Sequence, residues 1–185
     1  MYLKTQVNPH FLFNAINTVY IQMDESTEAA KHTLSAFSEM LRYQLYECNQ
    51  EKVPIEKEVE YLQHYINLQQ IRMDEHYQVS FTFQHPLQGF TIAPFLLMPL
   101  IENMFKHAPN IHDPVIIKGC LTYTNNQLSF YGFNTWHHHN SNQPIGGIGL
   151  ANMKRRLALL YPGSHSLTIK QHENTFEVWL NLQTI

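Results

Sequence analysis

The sequence predicts an α+β chain, a helical hairpin followed by a two-layer α/β sandwich. Three observations carry this. Up to Glu47 the apolar residues recur every three or four positions and no segment alternates. From residue 53 onward, helical and alternating segments succeed each other as helix, strand, helix, two strands, loop, helix, two strands. Two of the strand pairs are separated only by short polar turns, which makes hairpins and a mixed sheet with helices on one face. The boundary falls near "CNQEKVP" (Cys48 to Pro54), so residues 1–52 form one expected module and residues 53–185 the other.

Each element has its own warrant. Phe11 to Met23 places Leu12, Ile16, Val19, Tyr20 and Met23 at helical spacing, with Asn8 as N-cap and Pro9 at the first helical position, or with Pro9 as a kink in a helix running in from Leu3. Asp24 to Thr27 is a polar break. A second helix, Glu28 to Glu47, carries Ala30, Leu34, Phe37, Leu41, Tyr43 and Leu45. An αα-hairpin alone buries its faces poorly, and pairing with a second copy as a four-helix bundle solves that. A third helix, Ile55 to Met73, points Ile55, Val59, Leu62, Ile66 and Leu68 inward. "YQVSFTF" (Tyr77 to Phe83) alternates and is a half-buried strand. A helix from Pro94 to His107 follows. "VIIKGCLTY" and "QLSFYGF" flank Thr124-Asn125-Asn126 as a hairpin. Phe133 to Pro144 has no periodicity and is a long loop of the functional or mobile kind. Gly147 to Tyr161 is a helix stopped by Pro162-Gly163, and "HSLTIKQ" and "TFEVWLNL" form the last hairpin.

Composition narrows the function. The chain has 185 residues, 44% of them hydrophobic, so a packed core is expected. A net charge of -3 gives no field for nucleic acid, and none is expected as a partner. Cys48 and Cys120 stand far apart with no CxxC, which leaves reduced thiols and no thiolate metal site. No apolar run reaches the roughly 18 residues of a membrane span. The chain opens almost on its most unusual motif, "LKTQVNPHFLFNAINTVY". We therefore expect a cytoplasmic piece of a longer, cell-membrane protein whose anchor and sensor would precede Met1.

Several groups could carry chemistry. In "PLIENMFKH" a helix puts Asn103, Lys106 and His107 on one face, an amide oxygen for a hard cation and positive charge for phosphate, with Glu102 beside them. The plain alternative is the solvated stripe of a half-buried helix. "GGIGLANMKRR" opens a helix with glycines, which lets backbone N–H groups approach an anion, with Arg155 and Arg156 adding charge nearby; turn-forming glycines are the plain alternative. His137, His138 and His139 could hold a transition metal, but consecutive residues converge poorly on one ion and a solvated loop fits better. In a helix His10, Asn14 and Asn17 make one stripe. An imidazole flanked by amides suits phosphoryl transfer, whereas a lone histidine is more often a packed one.

Taken in order, "LKTQVNPHFLFNAIN", "LRYQL", "VPIEKEVEYLQHYINLQQIRM", "PFLLMPLIENMFKHA" and "GGIGLANMKRRLALLYPG" resemble the cytoplasmic region of the LytS/YehU-type sensor histidine kinases. The resemblance implies that His10 is the phosphoacceptor and that the first two helices dimerise. It also implies a second domain with the Bergerat (GHKL) ATP-binding fold. "PLIENMFKHA" matches the family's N-box, implying Asn103 on Mg²⁺ and Lys106 and His107 near the phosphates of ATP. "GGIGL" matches the glycine box, implying Gly147, Gly149 and Leu150 at the nucleotide under a flexible lid. Many members carry an Asp that accepts a hydrogen bond from the adenine amino group, where this chain has Asn134 in "YGFNTWHHHN". Phe11 follows His10 where mainstream sensor kinases have an acidic residue, which leaves Glu102 and Asn14 as candidate helpers.

The expected function is thus a dimeric sensor histidine kinase that phosphorylates His10 from Mg·ATP and passes the group to an aspartate on a response regulator receiver domain. The alternatives are a degenerate kinase that docks a regulator with little ATP turnover, another GHKL ATPase of the chaperone or topoisomerase sort, and a metal-binding regulator using His137 to His139.

Overall fold

A computed structural model of the protein describes residues 9–84, 86–106, 108, 114–135 and 147–184. Helix α1 (Pro9–Glu25) and helix α2 (Thr27–Arg42) form the hairpin. The polar break shrinks to one non-helical residue, Ser26, whose Oγ accepts the Ala29 N–H at 3.2 Å and caps α2. Helix α2 runs on into a π-helical turn, Tyr43–Glu47, closed by the Cys48 N–H on the Tyr43 carbonyl at 3.0 Å. The expected cap Asn8 lies outside the described residues.

The hairpin closes on small residues. Ala15 and Thr18 of α1 face Ala30, Thr33, Phe37 and Met40 of α2, all buried. Ile16, Tyr20 and Met23, apolar positions read from the helical spacing, are 50%, 72% and 60% exposed in the single chain. On α2, Leu34 and Leu45 are also exposed. On α1 the buried residues of this face are small, and Phe13, Ile16, Tyr20 and Met23 of that helix are left on the outside.

Helix α3 (Ile55–Gln70) buries every residue expected inward, and Glu58, Tyr61 and Tyr65 as well. It lies between hairpin and sandwich. Phe11 stacks on Tyr65 with ring centroids 5.3 Å apart, and Tyr43 tilts against Tyr61 at 5.2 Å. The segment read as a linker is short in effect. Cys48 is buried, and Val53 pairs with Ile92 where strand β1 (Val53–Pro54) meets strand β3 (Thr91–Ile92), leaving residues 49–52 exposed.

Strands β2 (Tyr77–Phe83), β4 (Val115–Thr124), β5 (Gln127–Thr135), β6 (His165–Gln171) and β7 (Thr175–Gln183) form a sheet in the order β2-β4-β5-β7-β6. Only β2 and β4 are parallel. Asn125 (φ 52) and Asn126 (φ 59) turn the β4–β5 hairpin in the left-handed region, as a two-residue type I′ connection requires. The inner face, with Val115, Ile117, Leu121, Phe130, Val178 and Leu180, packs under helix α4 (Met98–Lys106) and helix α5 (Gly147–Leu160). This is a two-layer α+β sandwich. Two positions require glycine for close approach. A Cβ on Gly119 would sit 2.2 Å from the Phe81 ring, and one on Gly132 would sit 2.7 Å from Met104 Sδ.

Helix α4 begins at Met98, four residues later than Pro94 predicted. Phe95 takes φ 54, its N–H donates to Glu58 Oε1 at 2.8 Å, and its ring meets Tyr43 and Tyr61 edge-on. A buried carboxylate from α3 captures the chain there and delays the helix. Among the described residues no helix is long and apolar enough to cross a membrane.

Candidate active site

A cleft of about 640 Å³ opens between α1, α3 and α4. Helix α1 supplies Phe11 and Asn14, the end of α3 and the residues after it supply Tyr65, Gln69 and Arg72, and α4 supplies Glu102, Phe105 and Lys106. Glu102 and Lys106, one helical turn apart, share the cleft face of α4. Asn103 turns the other way and is 9% exposed. The expected single face of Asn103 and Lys106 is therefore divided: the charged pair of Glu102 and Lys106 faces the cleft and the amide faces the interior.

Electrostatics follow from the walls. Glu102 is exposed as a residue, yet desolvation of its carboxyl raises its pKa above the usual glutamate range, with Lys106 acting against that. Burial also raises the Tyr65 hydroxyl, and the Glu102 charge adds to it, while its bond with Gln69 and the Arg72 charge oppose. Tyr65 is a protonated donor at neutral pH.

Two buried amides lie behind this cleft with open valences. Asn134 is fully buried on the inner face of β5, two residues beyond the Gly132 that touches Met104. Its Nδ2 donates to the Thr135 carbonyl at 2.8 Å, and its Oδ1 has no partner among the described residues. Asn103 Nδ2 is likewise unpartnered there. Leaving such a buried atom without a partner costs about 1–3 kcal/mol, so each is open to a hydrogen bond from water or a ligand.

Helix α5 starts at Gly147; Gly149 lies in its first turn with open space where a Cβ would be, and Leu150 is buried beneath. Arg156 does not join this end. It reaches the Phe95 carbonyl at 3.5 Å and acts on Glu58. His10 is the second residue of α1, one turn before Asn14. Asn17 is exposed. His107, Gly146 and the run His137 to His139 lie outside the described residues.

Sequence reasoning assigned no role to Tyr65, Gln69 or Arg72, whose common cleft is made by three segments distant in the chain. It also passed over Glu58. The signal was there: Glu58 sits three residues after Ile55 and four before Leu62, on the apolar stripe of α3.

The histidine kinase family model matches residues 1–77. The sensor protein LytS of Staphylococcus saprophyticus is 30% identical over 187 residues, covering 94% of this chain and 32% of that protein. This chain belongs to the LytS-type sensor histidine kinases. LytS of Enterococcus faecalis is 37% identical over 106 residues, covering 57% of this chain and 18% of that protein. The kinase core described by this chain thus spans less than a third of the length of these relatives. Its fold is that of solved histidine kinases. The histidine kinase domain of the Erythrobacter litoralis blue-light activated kinase has a TM-score of 0.53 at 12% identity, covering 97% of this chain and 89% of that one. The catalytic domain of histidine kinase ThkA has a TM-score of 0.51 at 10% identity, covering 71% and 94%. Full-length ShkA in complex with AMPPNP has a TM-score of 0.53 at 15% identity, covering 85% and 37%.

Proposed function

We propose that this chain is the catalytic core of a two-component sensor kinase, with residues 1–52 as a dimerising phosphoacceptor module and residues 53–185 as an ATP-binding domain. It phosphorylates His10 and passes the phosphoryl group to an aspartate of a response regulator receiver domain. The observation that carries this is the cleft, in which Asn14 of α1, one turn past His10, faces Glu102 and Lys106 of α4.

The residues fit a nucleotide. Asn134 Oδ1, buried and open, would accept a hydrogen bond from the adenine amino group, a neutral substitute for the Asp of many relatives. Leu150 would pack on the base side, and the α5 start at Gly147 and Gly149 would offer backbone N–H groups to phosphate. Asn103 would turn its amide oxygen to Mg²⁺, with its Nδ2 free for a phosphate oxygen. Bound Mg²⁺ supplies neutralisation of phosphate charge. Lys106 holds positive charge at the cleft mouth, with His107 beside it in sequence. Glu102, its carboxyl raised by desolvation, would exchange a proton with the acceptor imidazole, and Asn14 would orient that ring or a water. AMPPNP bound by ShkA, a structural relative, supports an ATP site in this fold. The core acts in the cytoplasm as part of a membrane-anchored protein.

Incubation with γ-labelled ATP tests the reading. The parent chain acquires acid-labile, base-stable label and His10→Ala acquires none. Equal label in His10→Ala would show that another residue is the acceptor.

A further inference from the structure

We propose that Arg72 binds the phosphoryl group in transit and that transfer takes place within one chain, across the cleft between α1, α3 and α4. The inference rests on the kinase reading above and adds to it a residue and a route.

Arg72 lies two residues past the end of α3 and lines the same cleft as Asn14 on α1 and Lys106 on α4. Among the described residues neither Arg72 nor Lys106 forms an ion pair, whereas Arg42 is held by Glu39 and Glu47, and Lys57 by Glu47 and Glu60. Two cations on separate walls, with the amides of Asn14 and Gln69 also lining the space, make a setting for an anion with several oxygens. A guanidinium suits it particularly, because its planar fork donates to two phosphoryl oxygens at once. Among the described residues Glu102 is the one carboxylate lining the cleft.

The route follows from what fixes α1. Phe11 stacks on Tyr65 and tilts against Phe37, so the first turns of α1 are docked on α3 of the same chain. Position 10 is one residue from that contact and one turn from Asn14. The hairpin joins the sandwich of the same chain through a junction packed at Tyr43, Glu58 and Tyr61. In the step itself, a His10 ring nitrogen uses its lone pair to form the N–P bond as the P–O bond to the leaving diphosphate breaks. The leaving oxygen keeps that electron pair, and Arg72 and Lys106 balance the spreading charge on the equatorial oxygens.

The test uses the full chain and three variants. With Arg72→Gln, His10 labelling at saturating Mg·ATP slows on the order of 100-fold while nucleotide affinity by calorimetry stays within about twofold. Arg72→Lys, which keeps the charge and loses the fork, recovers part of the rate. A purely structural role for Arg72 would give no such rescue and would lower affinity, rate and thermal stability together, which overturns the assignment. So would an Arg72→Gln rate equal to the parent's. Mixed dimers of Arg72→Gln with His10→Ala then decide the route. Label no greater than in Arg72→Gln alone supports same-chain transfer, and restored label overturns it. A parent chain that takes no label removes the kinase reading and this inference together, and is recognised by the parent lane alone.

Discussion

Glu58 is the one fully buried carboxylate among the described residues. Its Oε1 accepts from the Tyr43 hydroxyl and the Phe95 N–H, and its Oε2 has no partner there. Burial raises its pKa against the opposing effects of those bonds and of Arg156. A carboxyl whose folded pKa exceeds its unfolded one binds more protons when folded. Its contribution to stability is therefore full below about 4.5 and is lost as pH rises through the folded value. Glu58→Gln keeps an acceptor for Tyr43 and Phe95 and removes the titration. Urea midpoints measured from acid to neutral pH should show the variant gaining on the parent as pH rises; a constant gap would mean that Glu58 does not titrate in this range. Asn134 makes the complementary case for function. Asn134→Asp would give the adenine amino group a charged acceptor, tightening ATP binding by about tenfold if the charge adds roughly 1.4 kcal/mol. The same change buries an unpaired charge without nucleotide, so the melting temperature of the nucleotide-free variant should fall below the parent's while its calorimetric Kd for Mg·ATP improves.

Helix α4 depends on a residue of the sheet beneath it. Met104 Sδ lies against Gly132, next in chain to the Asn103 that faces inward. Gly132→Ala puts a methyl group 2.7 Å from that sulfur and 3.0 Å from Val178 Cγ1. Met can yield at its flexible end and Val178, on a paired strand, cannot. We expect a loss of about 1–3 kcal/mol in urea unfolding, with weaker Mg·ATP binding because α4 carries Asn103. Unchanged affinity would mean that the helix absorbs the shift without moving Asn103. The same helix shows what a sequence can and cannot tell. Strands β2 and β6 match their expected ends, because strict alternation with flanking turn residues is local information. The start of α4 is set by Glu58, 37 positions before Phe95, and nothing local announces it. Periodicity located the apolar residues of α1 but not which side of the helix the hairpin itself covers, where Ala15 and Thr18 are buried. Asn103, Lys106 and Asn134 were named as candidates from motif spacing and resemblance. Arg72 was not, since its cleft exists only once residues 11–14, 65–72 and 102–106 are brought together.

The side chains left outside the hairpin bear on how the protein assembles. Phe13, Ile16, Tyr20 and Met23 follow one another at three, four and three residues on α1, a single stripe, and Leu34 and Leu45 of α2 are exposed too. In one copy this stripe faces water. A second hairpin laid against it would complete a four-helix bundle, which is the assembly expected from the resemblance to dimeric kinases. Burying Ile16 and Tyr20 contributes roughly 1.5–3 kcal/mol each, and a carboxylate in their place would carry an unpaired charge into the interface. Ile16→Glu with Tyr20→Glu should therefore weaken self-association by at least about 100-fold, a 2.7 kcal/mol change. Sedimentation velocity across a micromolar concentration series should show the parent as a dimer and the double variant as a monomer. Leu159→Glu, a change at an exposed apolar residue of α5 away from the hairpin, should sediment like the parent. Dissociation by Leu159→Glu with persistence of the hairpin variant as a dimer would move the interface from the helices to the sandwich.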